Sequence, residues 1–179
     1  MTDLAGEPEV TAAAVAGILD LLADQDVRVW LDGGWAVDAC LGYQTRRHSD
    51  LDVVIEDRHL VTAVAVLRDH GYRPVPRDGT SPWNFVLGDQ DGHEVDFDVI
   101  TIDASGNGIY GPAENGQFYP AEALTGTGVI NGRRVDCFSP EWLVEFHTGY
   151  EVDATDWADL SALCQRFGIP IPGDYAQFQ

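Results

Sequence analysis

Two short acidic segments contain the side chains best suited to chemistry in this sequence. The first is Asp50-Leu51-Asp52, and the second has three carboxylates that alternate with apolar residues: Glu94, Asp96 and Asp98. Because side chains alternate between the two faces of a β-strand, the carboxylates of each segment share one face. Carboxylates this close repel one another unless a cation lies between them, and oxygen ligands that share their cation with phosphates suit Mg²⁺. If the two strands are neighbours, up to five carboxylates line one pocket; the alternative is the solvated polar face of an edge strand.

A diglycine and an arginine-containing loop precede the first acidic segment. Gly33-Gly34 follows a short predicted strand and permits close approach of the backbone to phosphate oxygens. The polar loop at residues 43–49 contains Arg46, Arg47 and His48. The two arginines either hold a triphosphate or neutralise the acidic segments, and His48 either contacts a phosphate or is a surface histidine. The chain has no lysine, which excludes lysine-dependent phosphate loops, kinase chemistry and Schiff bases.

The composition narrows the class of partner. The 179 residues carry a formal net charge of −20, which disfavours nucleic acid and favours metal ions and small cationic molecules, although the charge could also serve solubility alone. No apolar run is long enough to span a membrane, and residues 1–8 lack the features of a signal peptide, so we expect a cytoplasmic protein. The three cysteines, Cys40, Cys137 and Cys164, are widely spaced and predict small apolar core residues rather than a disulfide framework or a zinc site.

Hydrophobic periodicity and turn residues predict the elements that must position these groups. Helices are expected at residues 10–24, 35–41, 58–70, 139–150 and from 155 to about 167. Strands are expected at residues 27–31, 50–55, 83–87 and 93–102, with an Asn-Gly hairpin at residues 129–135 and a long surface loop or lid at residues 103–127. This order predicts an α/β (α+β) fold with a mixed sheet flanked by helices. Residues 1–138 would form the core, and residues 139–179 a C-terminal helical segment packed on it within one compact domain.

The order of these motifs resembles the nucleotidyltransferase superfamily. The signature is the diglycine, a spacer of 15 residues and then Asp50-Leu51-Asp52-Val53, followed by a carboxylate on a later strand. The runs WLDGGWAVD at residues 30–38 and TRRHSDLD at residues 45–52 look like the small antibiotic nucleotidyltransferases that act on lincosamides or on the 2″ position of aminoglycosides. The run FHTGY at residues 146–150 is more similar to the lincosamide branch.

The resemblance implies roles for individual residues. Asp50 and Asp52 match the metal ligands, and Asp96 matches the third carboxylate, which either completes the metal site or acts as general base; Glu94 is the alternative base. The positions that match the nucleotide-phosphate site are Gly33, Gly34, Arg46 and Ser49, with His48 beside them. The implied reaction is the Mg²⁺-dependent transfer of a nucleoside monophosphate, AMP from ATP, to a hydroxyl of a lincosamide-type antibiotic, with release of pyrophosphate.

The acceptor side is open at this level. Four acidic residues could pair with an amine of the acceptor: Asp32, Asp98, Glu145 and Asp156. His147 and Tyr150 share a face of the predicted helix at residues 139–150 and could line the acceptor pocket together with Trp83. The alternatives are an aminoglycoside nucleotidyltransferase and a non-catalytic, antitoxin-like binding protein with the same fold. By analogy with the family, a homodimer is also possible.

Overall fold

A computed structural model describes residues 9–179 of the chain, so the predicted lack of a signal peptide in residues 1–8 lies outside the described residues. The helices are α1 (Ala12–Ala23), α2 (Gly33–Leu41), α3 (Asp57–Asp69), α4 (Pro140–Phe146) and α5 (Ala154–Phe167). The strands are β1 (Val29–Leu31), β2 (Asp50–Glu56), β3 (Arg73–Val75), β4 (Asn84–Gly88), β5 (Glu94–Ile102), β6 (Gly108–Tyr110), β7 (Phe118–Tyr119), β8 (Gly126–Ile130) and β9 (Arg133–Cys137). Within this part of the chain, no helix is long and apolar enough to cross a membrane.

The strands form one mixed sheet with the order β3-β4-β5-β2-β1-β9-β8, and β6 and β7 extend it beside β5. The pairs β2–β5 and β1–β9 are parallel, and the other pairs are antiparallel. The helices pack against this sheet, as shown by contacts of α3 with β2 and β5 and of α2 with β8. The predicted α/β fold with a mixed sheet is therefore confirmed.

Local sequence accounts for most element boundaries. Asp32 caps the N-terminus of α2, and Asp153 forms a capping box with Asp156 at the start of α5. In the predicted hairpin, Asn131 and Gly132 have φ values of 50° and 76°, which are the left-handed conformations that a type I′ turn requires. The Asp32 cap sets the point at which β1 gives way to α2, and the Asn131-Gly132 turn sets the ends of β8 and β9.

The apolar side of the two acidic strands anchors them in the core. Leu51, Val53, Val95 and Phe97 are almost completely buried, as the alternation predicts. A one-residue slip of either strand would move these four side chains to the polar face and the carboxylates into the core. The hydrophobic core therefore fixes the register in which the carboxylates face one another.

The prediction of a long loop at residues 103–127 is wrong. This segment contains β6, β7 and 3₁₀ turns at Ala113–Asn115 and Ala121–Thr125. Strand β6 extends the sheet by pairing with the end of β5, with Ile100 opposite Tyr110. Strands of two or three residues are too short to show a period in sequence, and the many glycines in the segment hid them.

The predicted helix at residues 139–150 is too long, because α4 ends at Phe146 with His147 as its C-cap. The last carbonyls of α4 are satisfied by polar side chains: His147 Nδ1 lies 2.6 Å from the Leu143 oxygen, and the Thr148 hydroxyl donates to the Glu145 oxygen over 2.6 Å. Gly149 then turns the chain with a φ of 82°. His147 and Tyr150 consequently do not share a helix face, which corrects the prediction. The proposed boundary at residues 138 and 139 lies between β9 and α4 and stays a prediction.

Candidate active site

The two acidic segments lie side by side in register. In the parallel β2–β5 pair, Asp50 is opposite Glu94, Asp52 is opposite Asp96, and Val54 is opposite Asp98. The predicted adjacency of the two strands is thus confirmed. The backbone N–H of Asp32, the residue after β1, donates to the backbone carbonyl oxygen of Asp52 over 3.1 Å. This bond places a further aspartate at the same edge of the sheet.

These carboxylates line two different openings in the surface. A small cavity of about 80 Å³ is lined by Asp32, Asp52, Val53, Asn84, Asp96 and Asp98. A larger cleft of about 650 Å³ has Asp50, Glu94 and Ser49 in its wall, together with residues of β4 and of the segment before it. Asp96 lines both spaces. We call the group Asp32, Asp52, Asp96 and Asp98 the carboxylate nest.

Burial and mutual repulsion perturb the nest. The pKa of Asp52 is raised to about 8, first by burial and then by the charges of Asp50, Asp32, Asp96 and Asp98. The pKa of Asp96 is raised to about 6 by burial and by nearby Asp98, Asp50 and Glu94. The pKa of Asp32 is also raised to about 6 by burial, and the N–H of Gly33 and the nearby His147 partly offset that increase. Near neutral pH the nest therefore retains protons that isolated aspartates would have lost.

Within residues 9–179 none of the four nest carboxylates forms an ion pair, and His147 acts on Asp32 only without direct pairing. Asp98 instead accepts hydrogen bonds from Asn84 Nδ2 at 2.9 Å and from the Tyr119 hydroxyl at 2.8 Å. The facing pair of Asp52 and Asp96, next to Asp50, offers the oxygen ligands that a divalent cation requires. The donor set therefore fits a bound divalent cation.

The diglycine lies beside the nest, in the first turn of α2 rather than ahead of the helix. Gly33 has a φ of 59°, and a Cβ atom there would collide with the Asp52 carboxylate. A Cβ atom at Gly34 would lie 2.5 Å from His48 Nδ1 and 2.6 Å from Arg46 Nη2. The glycines therefore let the backbone pass close to the Asp52 carboxylate and to the polar loop at residues 43–49.

Alanine at position 34 tests this close approach. Because the new methyl group must displace His48 and Arg46, we expect Gly34→Ala to lower the free energy of unfolding by about 1–3 kcal/mol, the usual cost of overpacking. Gly17→Ala is the matched control, since Gly17 lies in α1 with no neighbouring atom within 4 Å. That variant should be neutral or more stable by up to about 1 kcal/mol. Thermal or urea unfolding measures both, and equal stabilities for the two variants would contradict the packing described here.

Asp38 organises the polar loop. It accepts hydrogen bonds from the backbone N–H of Thr45 at 3.0 Å and from its hydroxyl at 2.6 Å, and it pairs with His48 Nε2 at 2.5 Å. His48 is 3% exposed and its ring packs on Trp35. The prediction of a surface histidine is therefore wrong, because the Nε2 atom of His48 is buried against Asp38. No sequence pattern predicts this pair, because its members are ten positions apart and only the fold brings them together.

Arg46 connects the loop to the C-terminal helices. Its Nη2 and Nε lie 2.8 and 3.1 Å from the carboxylate of Asp159 on α5, a residue that sequence reasoning missed. Hydrogen bonding to Asp159 is also the main cause that raises the pKa of Arg46. Arg46 thus neutralises an acidic group, but one outside the two acidic segments. Arg47 pairs with Glu9 at 2.8 Å, and Ser49 is exposed at the rim of the larger cleft.

The other predicted site residues lie in different surroundings. Both oxygens of Glu94 are within 2.6 Å of Arg77 Nη2, so this carboxylate is held at the outer edge. Tyr150 donates its hydroxyl to Asp156 at the start of α5 over 3.0 Å. Trp83 is partly buried, and its ring packs so closely on Gly111 that a Cβ atom there would lie 2.8 Å from the ring.

An aromatic cleft of about 390 Å³ lies beside Asp98 and was not foreseen in the sequence. It is lined by Tyr110, Gly116, Gln117, Phe118, Tyr119 and Phe146. Tyr119 is shared between the two sites, because its hydroxyl donates to Asp98 and its ring packs on Phe146. The segment taken for a loop therefore supplies an aromatic wall next to the nest.

A second acidic group, at the β4–β5 turn, is distinct from the nest. Potential ligand atoms of Asp89, Asp91 and His93 lie within 4.8 Å of one another. Asp89 accepts from the backbone N–H groups of Asp91 and His93, and the His93 ring is 2.8 Å from its other oxygen. These bonds account for the cluster as part of the turn.

Comparisons with known proteins agree with this geometry. The chain is 29% identical to a lincosamide resistance protein of Staphylococcus haemolyticus over 154 residues, which are 86% of this chain and 94% of the relative. It is 28% identical to a 2″-aminoglycoside nucleotidyltransferase of Escherichia coli over 144 residues, 78% of this chain and 75% of the relative.

A solved structure and a family-level match point the same way. The lincomycin-bound lincosamide antibiotic adenylyltransferase LnuA is similar with a TM-score of 0.76 and 29% identity, covering 87% of this chain and 97% of that structure. Residues 14–163 match the sequence model of the aminoglycoside-2″-adenylyltransferases. The predicted nucleotidyltransferase resemblance is thereby confirmed, and the chain belongs to the aminoglycoside-2″-adenylyltransferase family.

Proposed function

We propose that this protein is a Mg²⁺-dependent nucleotidyltransferase that transfers AMP from ATP to a hydroxyl of a small cationic antibiotic and releases pyrophosphate. The observation that carries this proposal is the register of β2 and β5, which sets Asp52 opposite Asp96 in a nest that forms no ion pair within residues 9–179. The diglycine turn supports it, because Gly33 brings the start of α2 directly against the Asp52 carboxylate.

Asp50, Asp52 and Asp96 are the residues that would hold Mg²⁺. The ion would supply Lewis-acid stabilisation of the charge that develops when the acceptor hydroxyl displaces pyrophosphate at the α-phosphorus. By holding the ion, the three carboxylates would position the triphosphate relative to the acceptor, and positioning of this kind supplies much of the rate in phosphoryl transfer. Gly33, Gly34, Ser49 and the loop that carries Arg46 and His48 form the side on which the nucleotide would lie.

Asp96 is the better candidate for the general base. It lines both the inner cavity and the larger cleft, so it can reach a hydroxyl that enters from either. Its pKa, raised to about 6, lies nearer to neutral pH than that of an ordinary aspartate, as a general base requires. Glu94, the alternative base, is occupied by Arg77.

The acceptor would lie on the Asp98 side of the nest, beside the aromatic cleft. Asp98 and Asp32 supply negative charge for an amine, and Tyr110, Tyr119 and Phe146 supply flat apolar surface for a sugar or a hydrocarbon ring. The lincosamide relative is matched over 94% of its length, which favours a lincosamide-type acceptor. An aminoglycoside is the second candidate, and the density of carboxylates around Asp98 favours it because such acceptors carry several amines.

The test is a transfer assay with purified protein, Mg²⁺ and ATP, GTP, CTP or UTP. Lincomycin, clindamycin, kanamycin and gentamicin serve as acceptors, with pyrophosphate release and product mass as readouts. The proposal expects one acceptor class to gain the mass of a nucleoside monophosphate less one water. The class that gains it distinguishes a lincosamide enzyme from an aminoglycoside enzyme directly. Nucleotide and acceptor binding without any mass gain would instead indicate a non-catalytic binding protein. Sedimentation of the same sample tests the predicted homodimer.

Asp98→Asn tests the acceptor side separately. The amide keeps the shape but loses the charge and one acceptor oxygen: its oxygen can still accept from Asn84, while its NH2 group must donate to the Tyr119 hydroxyl oxygen. We therefore expect the acceptor KM to rise about 10- to 100-fold, the usual loss for a hydrogen bond to a charged group. The KM for ATP should stay nearly unchanged. Tyr119→Phe is the comparison variant, because it removes one donor to Asp98 and keeps the charge; its effect should be smaller. An Asp98→Asn enzyme with an unchanged acceptor KM would contradict this placement.

A further inference from the structure

The fold brings two of the three cysteines into contact, although nothing in the sequence predicted a pair. Cys40 lies near the end of α2 and Cys137 is the last residue of β9, and their Sγ atoms are 3.6 Å apart. They are separated by 97 positions in the chain. Cys164 has a different neighbour, since its Sγ lies 3.8 Å from the Pro170 oxygen. Cys40 Sγ also lies 3.8 Å from the Phe138 oxygen, and Cys137 Sγ is the nearer of its two partners.

The two thiols differ in how far they are buried and in the direction of their pKa shifts. Cys40 is partly exposed as a residue, whereas Cys137 is completely buried. The hydrogen bond from Cys137 lowers the pKa of the Cys40 thiol, and the same contact together with burial raises the pKa of Cys137. Thiolate character and exposure together determine which cysteine reacts with an oxidant. Cys40 is thus the thiol that reacts first, and Cys137 is its neighbour within reach.

We propose that Cys40 and Cys137 form a redox-active dithiol that a peroxide closes to a disulfide. The Cys40 thiolate attacks one peroxide oxygen, the O–O bond breaks, and hydroxide leaves, so that Cys40 becomes a sulfenic acid. Cys137 sulfur then attacks the Cys40 sulfur, the S–O bond breaks, and the sulfenic oxygen leaves as water with the Cys137 proton. In sum, two thiols and one hydrogen peroxide give one disulfide and two waters.

Small movements suffice for this step. The sulfurs must approach by about 1.5 Å to reach the usual disulfide bond length of about 2.05 Å. The bond would connect α2, whose first turn carries the diglycine, with β9, which pairs with β1 at Leu31. It would also enclose both acidic segments in one covalent loop, because residues 50–52 and 94–98 lie between the two cysteines. A cross-link of this kind stabilises a protein mainly by restricting the unfolded chain.

The experiment treats the folded, reduced protein with a small excess of hydrogen peroxide, quenches it, and counts thiols after denaturation. We expect the count to fall from three to one, with loss of two hydrogen masses and a higher melting temperature that a reductant reverses. Because the chain has no lysine, trypsin cleaves it only after arginine, and Cys137 and Cys164 then share the fragment 135–166. The Cys164→Ser variant removes this ambiguity, and in it fragment 29–46 should be linked to fragment 135–166.

Cys40→Ser is the matched control and should retain both remaining thiols under the same treatment. Three outcomes would overturn the proposal: all thiols of the folded protein survive the peroxide, the Cys164→Ser variant yields only disulfides between two chains, or Cys40 proceeds to a sulfinic acid while Cys137 stays reduced. None of these readouts depends on nucleotidyl transfer. The dithiol and the proposed function can therefore fail independently of each other.

Discussion

Asp52→Asn is expected to abolish nucleotidyl transfer, with kcat lower by at least about a thousandfold, because the variant removes a charge from the group that would hold the metal and the triphosphate. Asp52 lies directly opposite Asp96 and adjoins the diglycine turn, so its carboxylate is central to the geometry. Pyrophosphate release in the presence of Mg²⁺ and ATP measures the loss. Near-normal turnover in this variant would contradict the site assignment.

The same substitution should not damage the fold, and this separates a chemical role from a structural one. Asparagine has the size of aspartate but carries no charge, and the pKa of Asp52 is raised to about 8 because its ionised form is disfavoured in the nest. We therefore expect the metal-free Asp52→Asn protein to melt at the same temperature as the parent or higher at pH 8. Asp69→Asn at the exposed end of α3 is the control, and it should change neither turnover nor stability.

Much of the candidate site could be predicted because it depends on local patterns. The alternation of charged and apolar residues in β2 and β5 determines which side chains share a face, and burial of Leu51 and Phe97 confirms the assignment. The sequence alone does not predict that β2 and β5 are neighbours, because no local rule specifies which strands pair in parallel. The structure supplies that order and adds Asp32 through its backbone bond to Asp52.

The features that could not be predicted depend on contacts between distant residues or on very short elements. Arg46 meets Asp159 across 113 positions, and Cys40 meets Cys137 across 97. The aromatic cleft depends on β6 and β7, which are too short to show a period. The end of α4 is set by His147 and Thr148 side chains that bond its last carbonyls, which no periodicity of apolar residues reveals.

The metal-free protein should lose stability as pH rises from 5 to 8. The pKa of Asp52 is about 8 in the folded protein, and those of Asp32 and Asp96 are about 6, against an ordinary value of 3.8. Between pH 4 and 8 the folded state therefore binds more protons than the unfolded state, and the free energy of unfolding falls with increasing pH. Asp89 and Asp103 have lowered pKa values, so their contributions are lost only in more acidic solution and stay constant in this window.

The size of this effect follows from the shift at Asp52. One pKa unit corresponds to about 1.4 kcal/mol, and after allowance for solvent screening at the cleft we expect a loss on the order of 2–4 kcal/mol. For a chain of this size, that is roughly 5–10 °C in melting temperature. Thermal unfolding in EDTA at pH 5, 6, 7 and 8 measures it. Asp52→Asn should show a clearly weaker pH dependence, since the group with the largest shift is absent.

Mg²⁺ should reverse this loss, and more strongly at high pH. A ligand that binds only the folded state stabilises it by about 2.7 kcal/mol at a hundred times its dissociation constant. Binding needs ionised carboxylates, so protons compete strongly at pH 5 and much less at pH 8, where Asp32 and Asp96 are ionised and Asp52 is about half ionised. The melting temperature should therefore rise with Mg²⁺ at pH 8 and change little at pH 5, and Asp52→Asn should respond weakly at both. A nest that responded equally to Mg²⁺ at the two pH values would not be holding the ion through these carboxylates.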